Sequence, residues 1–301
     1  MKNHLKRTIA IQGGKGSFHE IAAIFQYGSH NIKTLCFSNF HELVESVAKR
    51  KSDLGIIAIE NTVAGSLISN YALLESINIV VIGEILLRIE QNLMALPGQR
   101  IEDIKEVYSH PIALMQCSEY FKGHPYIRLI ESEDTAMSAG NIRENNTYGA
   151  GAIGSQRAAD LYGLDILQTG IETNKRNFTR FLVIQSSEAD NTYTDQLPDK
   201  ASISFTLPHK TGSLSNVLSI FSFYNINLTK IQSIPIIGKE WEYHFIVDLV
   251  FEDYKSYKQA LQAVQPLTAG LQVFGEYNKA REHFYSNQLS GRMEIESIEM
   301  I

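Results

Sequence analysis

TIAIQGGKGSFHEIAAIFQYG, residues 8–28, decides the class of fold. Its first five residues are a short apolar run of strand type. A turn containing Gly13, Gly14 and Gly16 follows, and Ser17 then stands three residues before Glu20. That spacing lets a capping hydroxyl and the third helical residue satisfy each other's backbone donors, so a helix starts here and Gly28 closes it. Strand, glycine turn and capped helix make one β-α step.

The step recurs along residues 8–184. TLCF precedes NFHELVESVAKRK, where Asn39 and Glu42 repeat the cap spacing; LGIIAIE follows, and the alternation runs on to RFLVIQ. Short apolar strands alternating with helices predict α/β architecture. SSEADNTYTDQLPD, residues 186–199, is polar, acidic at intervals and closes on Pro198 and Asp199, and it reads as a linker. Beyond it come ASISFTLP, a helix over GSLSNVLSIFSFYN, then NLTKIQSIPI, WEYHFIVDLVF, a helix over DYKSYKQALQAVQ, and LQVFGEY. That order is βαββαβ, a ferredoxin-like sandwich. In WEYHFIVDLVF the apolar Trp241, Tyr243, Phe245, Val247, Leu249 and Phe251 alternate with a mixed set, which predicts a sheet with one packed face. The reading divides the chain into a domain over 1–185, a linker over 186–199, a second domain over 200–278 and a tail over 279–301 without a usable pattern.

With 301 residues the chain is long enough for two such domains. Hydrophobic residues at 44% and charged residues at 20% are globular values, and no run approaches the roughly 20 apolar residues of a membrane helix. The N-terminus moves directly into a strand without a signal-peptide pattern, so a cytoplasmic address is expected. A net charge of −6 without a basic run argues against nucleic acid as partner and leaves room for a small anionic ligand. Cys36 and Cys117 stand far apart with no partnering CxxC or clustered histidines, so neither a disulfide framework nor a metal site is expected, and both thiols are read as reduced and buried.

Ligands in α/β sheets collect where strands end and helices begin, because helix N-termini present free amides and a partial positive charge. Several stretches have that form. The loop Gly13–Ser17 either brings amides to an anion or is simply a tight turn. IAIENTVAGS, 57–66, delivers Glu60, Asn61 and Thr62 together before Gly65 and Ser66 open the next helix; they bind a ligand or bond the surrounding backbone as a corner. VYSHPIALMQC, 107–117, places Ser109 and His110 before Pro111 at a natural first helical position, with His110 a general acid, a ligand donor or a cap. In RNFTRF, 176–181, Thr179 offers a hydroxyl, and Arg180 offers either a carboxylate clamp or a surface ion pair.

Taken in order, these stretches resemble prephenate dehydratase over about 8–277. The carriers are GxxGSF at 13–18, ENTxxGS at 60–66, SHPxALxQC at 109–117, DTAxxA at 134–139, AIGSxxAAxxYGL at 152–164 and NxTRF at 177–181. The resemblance implies a catalytic domain of two α/β lobes facing across a cleft, like type 2 periplasmic binding proteins, followed by an ACT regulatory domain that senses phenylalanine. It implies conversion of prephenate to phenylpyruvate, CO2 and water without a cofactor, with Thr179 and Arg180 as catalytic residues. Gly16, Ser17, Asn61, Thr62, Ser66, Ser109, His110, Gln116 and Phe181 are the implied substrate-binding set. Gly212, Ser213, Leu214, Gln232 and Ser233 correspond to the phenylalanine site, although the family's Glu-Ser-Arg-Pro stretch reads Gln232, Ser233, Ile234, Pro235 here, with two charges missing. A homodimer or homotetramer is expected from pairing of ACT domains. No chorismate mutase helices are expected ahead of the first strand. Two other readings remain: an arogenate dehydratase of the same fold, and a non-catalytic amino-acid sensor, against which the intact NFTRF run argues.

Overall fold

The computed structural model describes residues 6–189, 196–236, 238 and 242–280. In chain order they form β1 (Arg7–Gln12), α1 (Phe18–Tyr27), β2 (Ile32–Phe37), α2 (Phe40–Ala48), β3 (Leu54–Asn61), β4 (Gly65–Ser66), α3 (Ile68–Ser76), β5 (Ile79–Arg88) and β6 (Asn92–Ala95). Then come β7 (Glu106–Ser109), α4 (Pro111–Gln116), α5 (Ser118–Lys122), β8 (Arg128–Glu131), α6 (Thr135–Glu144), β9 (Ala150–Gly154), α7 (Gln156–Tyr162), β10 (Asp165–Gln168) and β11 (Phe178–Ser186). The last elements are β12 (Lys200–Thr206), α8 (Ser213–Phe223), β13 (Asn227–Pro235), β14 (Tyr243–Val250), α9 (Tyr254–Val264) and β15 (Ala269–Tyr277). They divide into two compact units, one of residues 6–73 and 85–182, the other of 74–84 and 183–280.

The first unit is built on two sheets, one per lobe. In the first lobe the strand order is β2-β1-β3-β11-β5, with β4 paired to β3, and β1 runs parallel to both β2 and β3. LGIIAIE explains the position of β3: Ile56, Ile57 and Ile59 are fully buried, as expected of a strand covered on both faces. The second lobe has the order β10-β6-β9-β7-β8, with Leu93, Val107, Ala113 and Ile153 in its core. Of the reciprocal caps read from the sequence the forward half forms, while the Glu20 carboxylate turns to the Gly16 amide and Glu42 to the Ser38 hydroxyl instead of the cap's own N–H. Ser17 accepts from the Glu20 amide, Asn39 from the Glu42 amide, and Gly28 ends α1 at a positive φ of 77°. Every helix start of this unit that carries a motif lies just after a strand C-terminus, which is what gathers the candidate residues.

The second unit has the expected βαββαβ order, β12-α8-β13-β14-α9-β15, folded into an antiparallel sheet β13-β14-β12-β15. Phe205, Phe221, Val247, Leu249, Phe251 and Tyr257 form its core. The expected single packed face needs correction, because Ser202, Ser204, Ile246 and Asp248 on the other face are buried as well. The cover comes from residues 74–84, which belong to this unit. Lys200 Nζ donates to both carboxylate oxygens of Glu84 at 2.9 and 2.8 Å, and His244 pairs with Glu75. Gly275 lies so close to the Val81 carbonyl that a β-carbon there would overlap it. Strands β5 and β11 continue from one unit into the other. Trp241, residues 190–195 of the linker and 281–301 of the tail lie outside the described residues.

Cys117 is buried as expected, and burial pushes its thiol up to about 12. Cys36 is exposed, contrary to expectation, because β2 is the edge strand of its sheet. Among the described residues no helix is long and apolar enough to cross a membrane.

Candidate active site

The ends of β3 and the start of β11 lie side by side, which brings Asn61 and Thr179 together although 118 positions separate them. Asn61 has a fixed orientation. Its Oδ1 accepts the backbone N–H groups of Val63 and Ala64 at 2.9 and 2.8 Å, and since those are obligatory donors the amide's NH2 must face the other way. That Nδ2 donates to Thr179 Oγ1 at 3.0 Å, to Asn177 Oδ1 at 2.7 Å and to the Phe178 carbonyl at 3.2 Å. Thr179 therefore receives a hydrogen bond, and among the described residues its own hydroxyl hydrogen has no acceptor.

The second lobe contributes Gln116, at the end of α4. Its Nε2 donates to Asn61 Oδ1 at 3.4 Å, while its Oε1 accepts from Asn177 at 3.0 Å and from Gln91 at 3.3 Å. Asn61, Gln91, Gln116 and Asn177 are all buried, so their pairing matters, an unpaired amide there costing about 1–3 kcal/mol; among the described residues only Gln91 Oε1 of this set lacks a partner. Sequence reasoning missed Gln91 and the role of Asn177, which appears in NxTRF but carries no signal of its own without the fold.

Arg180 is buried, not on the surface. Its Nε lies 2.7 Å from Glu60 Oε1 and its Nη2 3.4 Å from Tyr71 Oη. Thr62 pins the start of β11, donating to the Arg176 carbonyl and accepting the Phe178 amide, each at 2.9 Å. Gly65 and Ser66 do not open a helix; they form β4 and fold back on Glu60 and Asn61 as a hairpin, because Gly65 adopts a φ of 84°. Ser109 is buried and gives its proton to the Ile153 carbonyl at 2.8 Å. His110 caps α4: Nδ1 accepts the Ile112 amide at 3.2 Å, and burial lowers its pKa against the opposing pull of Asp134 and Glu131.

Phe181 packs into the core with the His19 ring edge-on at 4.9 Å. His19 itself is buried against Phe181 and Phe40, and burial lowers its pKa to about 3, so it is neutral. The glycine loop is occupied from within the protein. Gly16 N–H donates to Glu20 Oε2 at 2.8 Å, the Asp134 carboxylate lies against Gly13, and Ser17 caps α1. A separate cavity of about 400 Å³ lies between α1 and α7, lined by Phe18, Ile21, Leu87, Asn92 and Leu161 but not by Thr179 or Arg180.

In the second unit Gly212 caps α8 at a φ of 84°, with Ser213 and Leu214 in the first turn. Gln232 and Ser233 sit on the edge strand β13 opposite Ile246 and Phe245.

Fold and corner together define a two-lobed α/β enzyme whose central groups are neutral amides and a hydroxyl, with a ferredoxin-like unit attached. The family model for prephenate dehydratase matches residues 9–189, and the chain belongs to that family, whose members are lyases. The resemblance read from the six motifs is thereby borne out. The chain is 36% identical over 280 residues to a bifunctional chorismate mutase/prephenate dehydratase of Aquifex aeolicus, covering 91% of this chain and 74% of the relative. It is also 36% identical over 285 residues to arogenate dehydratase 3, chloroplastic, of Arabidopsis thaliana, covering 89% and 66%. Among solved structures, prephenate dehydratase from Arthrobacter aurescens in complex with L-Phe superposes with a TM-score of 0.80 at 26% identity, covering 91% of this chain and 90% of that one. GqqA, described as a novel type of quorum quenching acylase, superposes with a TM-score of 0.81 at 25% identity, covering 91% and 98%.

Proposed function

We propose that this chain converts prephenate to phenylpyruvate, CO2 and water. The electron pair of the bond to the ring carboxylate moves into the ring as CO2 leaves, the C4–oxygen bond breaks, and the departing hydroxide takes up one proton. Aromatisation supplies the driving force. What the protein must supply is a donor at the departing oxygen and a site for the dianion.

The observation that carries the reading is the polarity of the Asn61–Thr179 bond. Because Asn61 donates, the Thr179 hydroxyl keeps its own hydrogen for the substrate, and the fixed Val63 and Ala64 amides hold that direction in place. Thr179 polarises the leaving hydroxyl in this reading, and the proton arrives through water. Arg180, braced by Glu60, orients the corner or takes a substrate carboxylate. Gly16, Ser17, Thr62, Ser66, Ser109, His110, Gln116 and Phe181 shape the substrate site around it. Phenylpyruvate formation from prephenate by wild type and Thr179→Ala tests the assignment: activity should fall at least about 10²-fold in the variant, and near-normal turnover would remove Thr179 from the mechanism.

A second substrate is favoured by the likeness to a plant arogenate dehydratase. Arogenate replaces the side-chain keto group with an ammonium, and turnover measured on both compounds separates the two. Residues 1–185 form the catalytic domain and 200–278 an ACT domain in this reading, with 186–199 as linker and pairing of ACT domains giving a dimer or tetramer in the cytoplasm. The ferredoxin-like order and the L-Phe complex of the Arthrobacter protein support L-phenylalanine as effector, bound around Gly212, Ser213, Leu214, Gln232 and Ser233. Gln232 offers hydrogen bonds but no negative charge to the ammonium group. Calorimetry with millimolar phenylalanine that gives neither heat nor thermal shift would refute this.

A further inference from the structure

Three amides of the corner form a closed ring in which each donates to the next. Asn61 Nδ2 donates to Asn177 Oδ1 at 2.7 Å, Asn177 Nδ2 to Gln116 Oε1 at 3.0 Å, and Gln116 Nε2 to Asn61 Oδ1 at 3.4 Å. Such a ring can run either way round, because oxygen and NH2 exchange places when an amide turns over. Backbone donors decide the direction at Asn61; at Gln116 a further donor does, since Gln91 Nε2 points at Gln116 Oε1 over 3.3 Å. The direction of the ring therefore depends on what holds Gln91. Its side chain has no second anchor, because Oε1 lacks a partner among the described residues.

Gln91 is held by its backbone. It lies in the crossover between β5 and β6, and its carbonyl accepts the Ile171 amide at 2.7 Å from the other crossover, between β10 and β11. Its own amide goes to a side chain. It donates to Glu172 Oε2 at 2.9 Å, and the side chain of Glu172 is fully buried. A carboxylate in such a place is costly unless it is paired, and its second oxygen lies 3.5 Å from Arg88 Nη2. An ionised acceptor holds a backbone amide about twice as strongly as a neutral one, so Gln91 is fixed more firmly than a carbonyl would fix it.

We infer that Glu172 is a positioning residue of the site: by fixing the Gln91 backbone it aims the Gln91 amide at Gln116, and so sets the direction of the amide ring that ends on Thr179. Its effect on turnover rests on the dehydratase reading. Glu172 acts on Thr179 at a distance, through Gln91, Gln116 and Asn61 in turn. A second path from the same segment bypasses Gln91, since the Thr173 amide donates to the Gln116 carbonyl at 2.8 Å. Combining substitutions separates the two paths.

Glu172→Ala removes the acceptor, and Gln91→Met removes the amide at nearly constant length. Each should lower kcat on prephenate about tenfold and leave KM within about threefold, the worth of one hydrogen bond to a group that aims the donor at the departing oxygen. Joined, the two substitutions should cost no more than either alone, because both break the same chain of bonds; a roughly hundredfold loss in the double variant, or kcat near wild type in either single one, overturns the inference. Glu172→Gln keeps an oxygen for the Gln91 amide and should restore kcat to within about threefold of wild type. A Glu172→Gln protein as slow as Glu172→Ala would make the Arg88 pair the operative contact and overturn the inference too. The same cycle is read without substrate by nuclear magnetic resonance of protein isotope-labelled in its glutamine side chains. The Gln116 NH2 signals, identified by their loss in Gln116→Met, should move in both single variants and no further in the double one. Additive movement would mean that the Thr173 path operates instead. These signals need no turnover, so a wild type inactive on prephenate defeats the dehydratase reading alone, while the spectra still decide for or against Glu172.

Discussion

Two strand ends of the first unit are built alike and end up opposite in character. Gly13–Ser17 after β1 and Glu60–Thr62 at the end of β3 both gather polar groups beside glycine where parallel strands end. At the first, the Gly16 amide is consumed by Glu20 and the Asp134 carboxylate is packed against Gly13. At the second, backbone amides are spent on aiming one side chain, Asn61, and the hydrogen-bond chain stops at Thr179 with a donor to spare. A glycine loop before a helix is therefore not evidence of a ligand until the protein's own carboxylates have been counted.

The largest expected effect lies at the second corner. Asn61→Asp replaces the NH2 donor by an oxygen that accepts the Thr179 proton, and kcat should fall about 10²-fold with the fold intact; steady-state rates close to wild type would show that the direction of that bond is irrelevant. The next effect concerns acid stability beside Phe181. His19 is held neutral by burial, with a pKa lowered from 6.5 to about 3. The unfolded chain takes up a proton below pH 6.5 and the folded chain does not, so His19 removes about 1.4 kcal/mol of stability for each pH unit between 6.5 and 3, and nothing above 6.5. His19→Phe should therefore gain about 2 kcal/mol over wild type between pH 7 and pH 5 in urea titrations. An unchanged difference would mean that the ring reaches solvent.

At the glycine loop, Gly16→Ala combines a left-handed φ with the approach to Ala158, and about 1–3 kcal/mol of stability should be lost by the same titration. A neutral result would show that the Ala158 backbone yields to the added carbon. The smallest effect is Glu20→Gln, whose amide oxygen still accepts the Gly16 N–H and whose NH2 donates to the Thr34 hydroxyl, while the charge facing the partly exposed Arg157 is removed. Less than about 1 kcal/mol is expected, and less still in high salt; a larger loss would place this pair with the buried interactions of the other corner.

Much of the fold was legible because its signals are local. Ser17, Asn39 and Gly28 mark helix ends through bonds within three or four residues, and βαββαβ follows from counting periodic segments. The candidate site was legible only as a set of strand ends. Which ends meet depends on sheet order, and nothing near Asn61 announces Thr179, Gln116 or Asn177. His110 illustrates the same limit: no local pattern tells that its Nδ1 takes the Ile112 amide. Nor does any local pattern assign residues 74–84 to the C-terminal unit, since Glu84 sits in an ordinary strand until Lys200 is placed against it.

That last pairing limits how the C-terminal unit can be exchanged. A chain cut in the linker at 186–199 would retain Glu84 and Val81 but lose Lys200 and Gly275, leaving a carboxylate built for burial without its cation and an apolar strand without its cover. Removing one partner of such a buried pair costs about 3–5 kcal/mol. The C-terminal unit is thus not a detachable cassette: a graft from a relative must bring a basic residue at position 200 and a bare backbone at 275, or carry its own version of residues 74–84 with it.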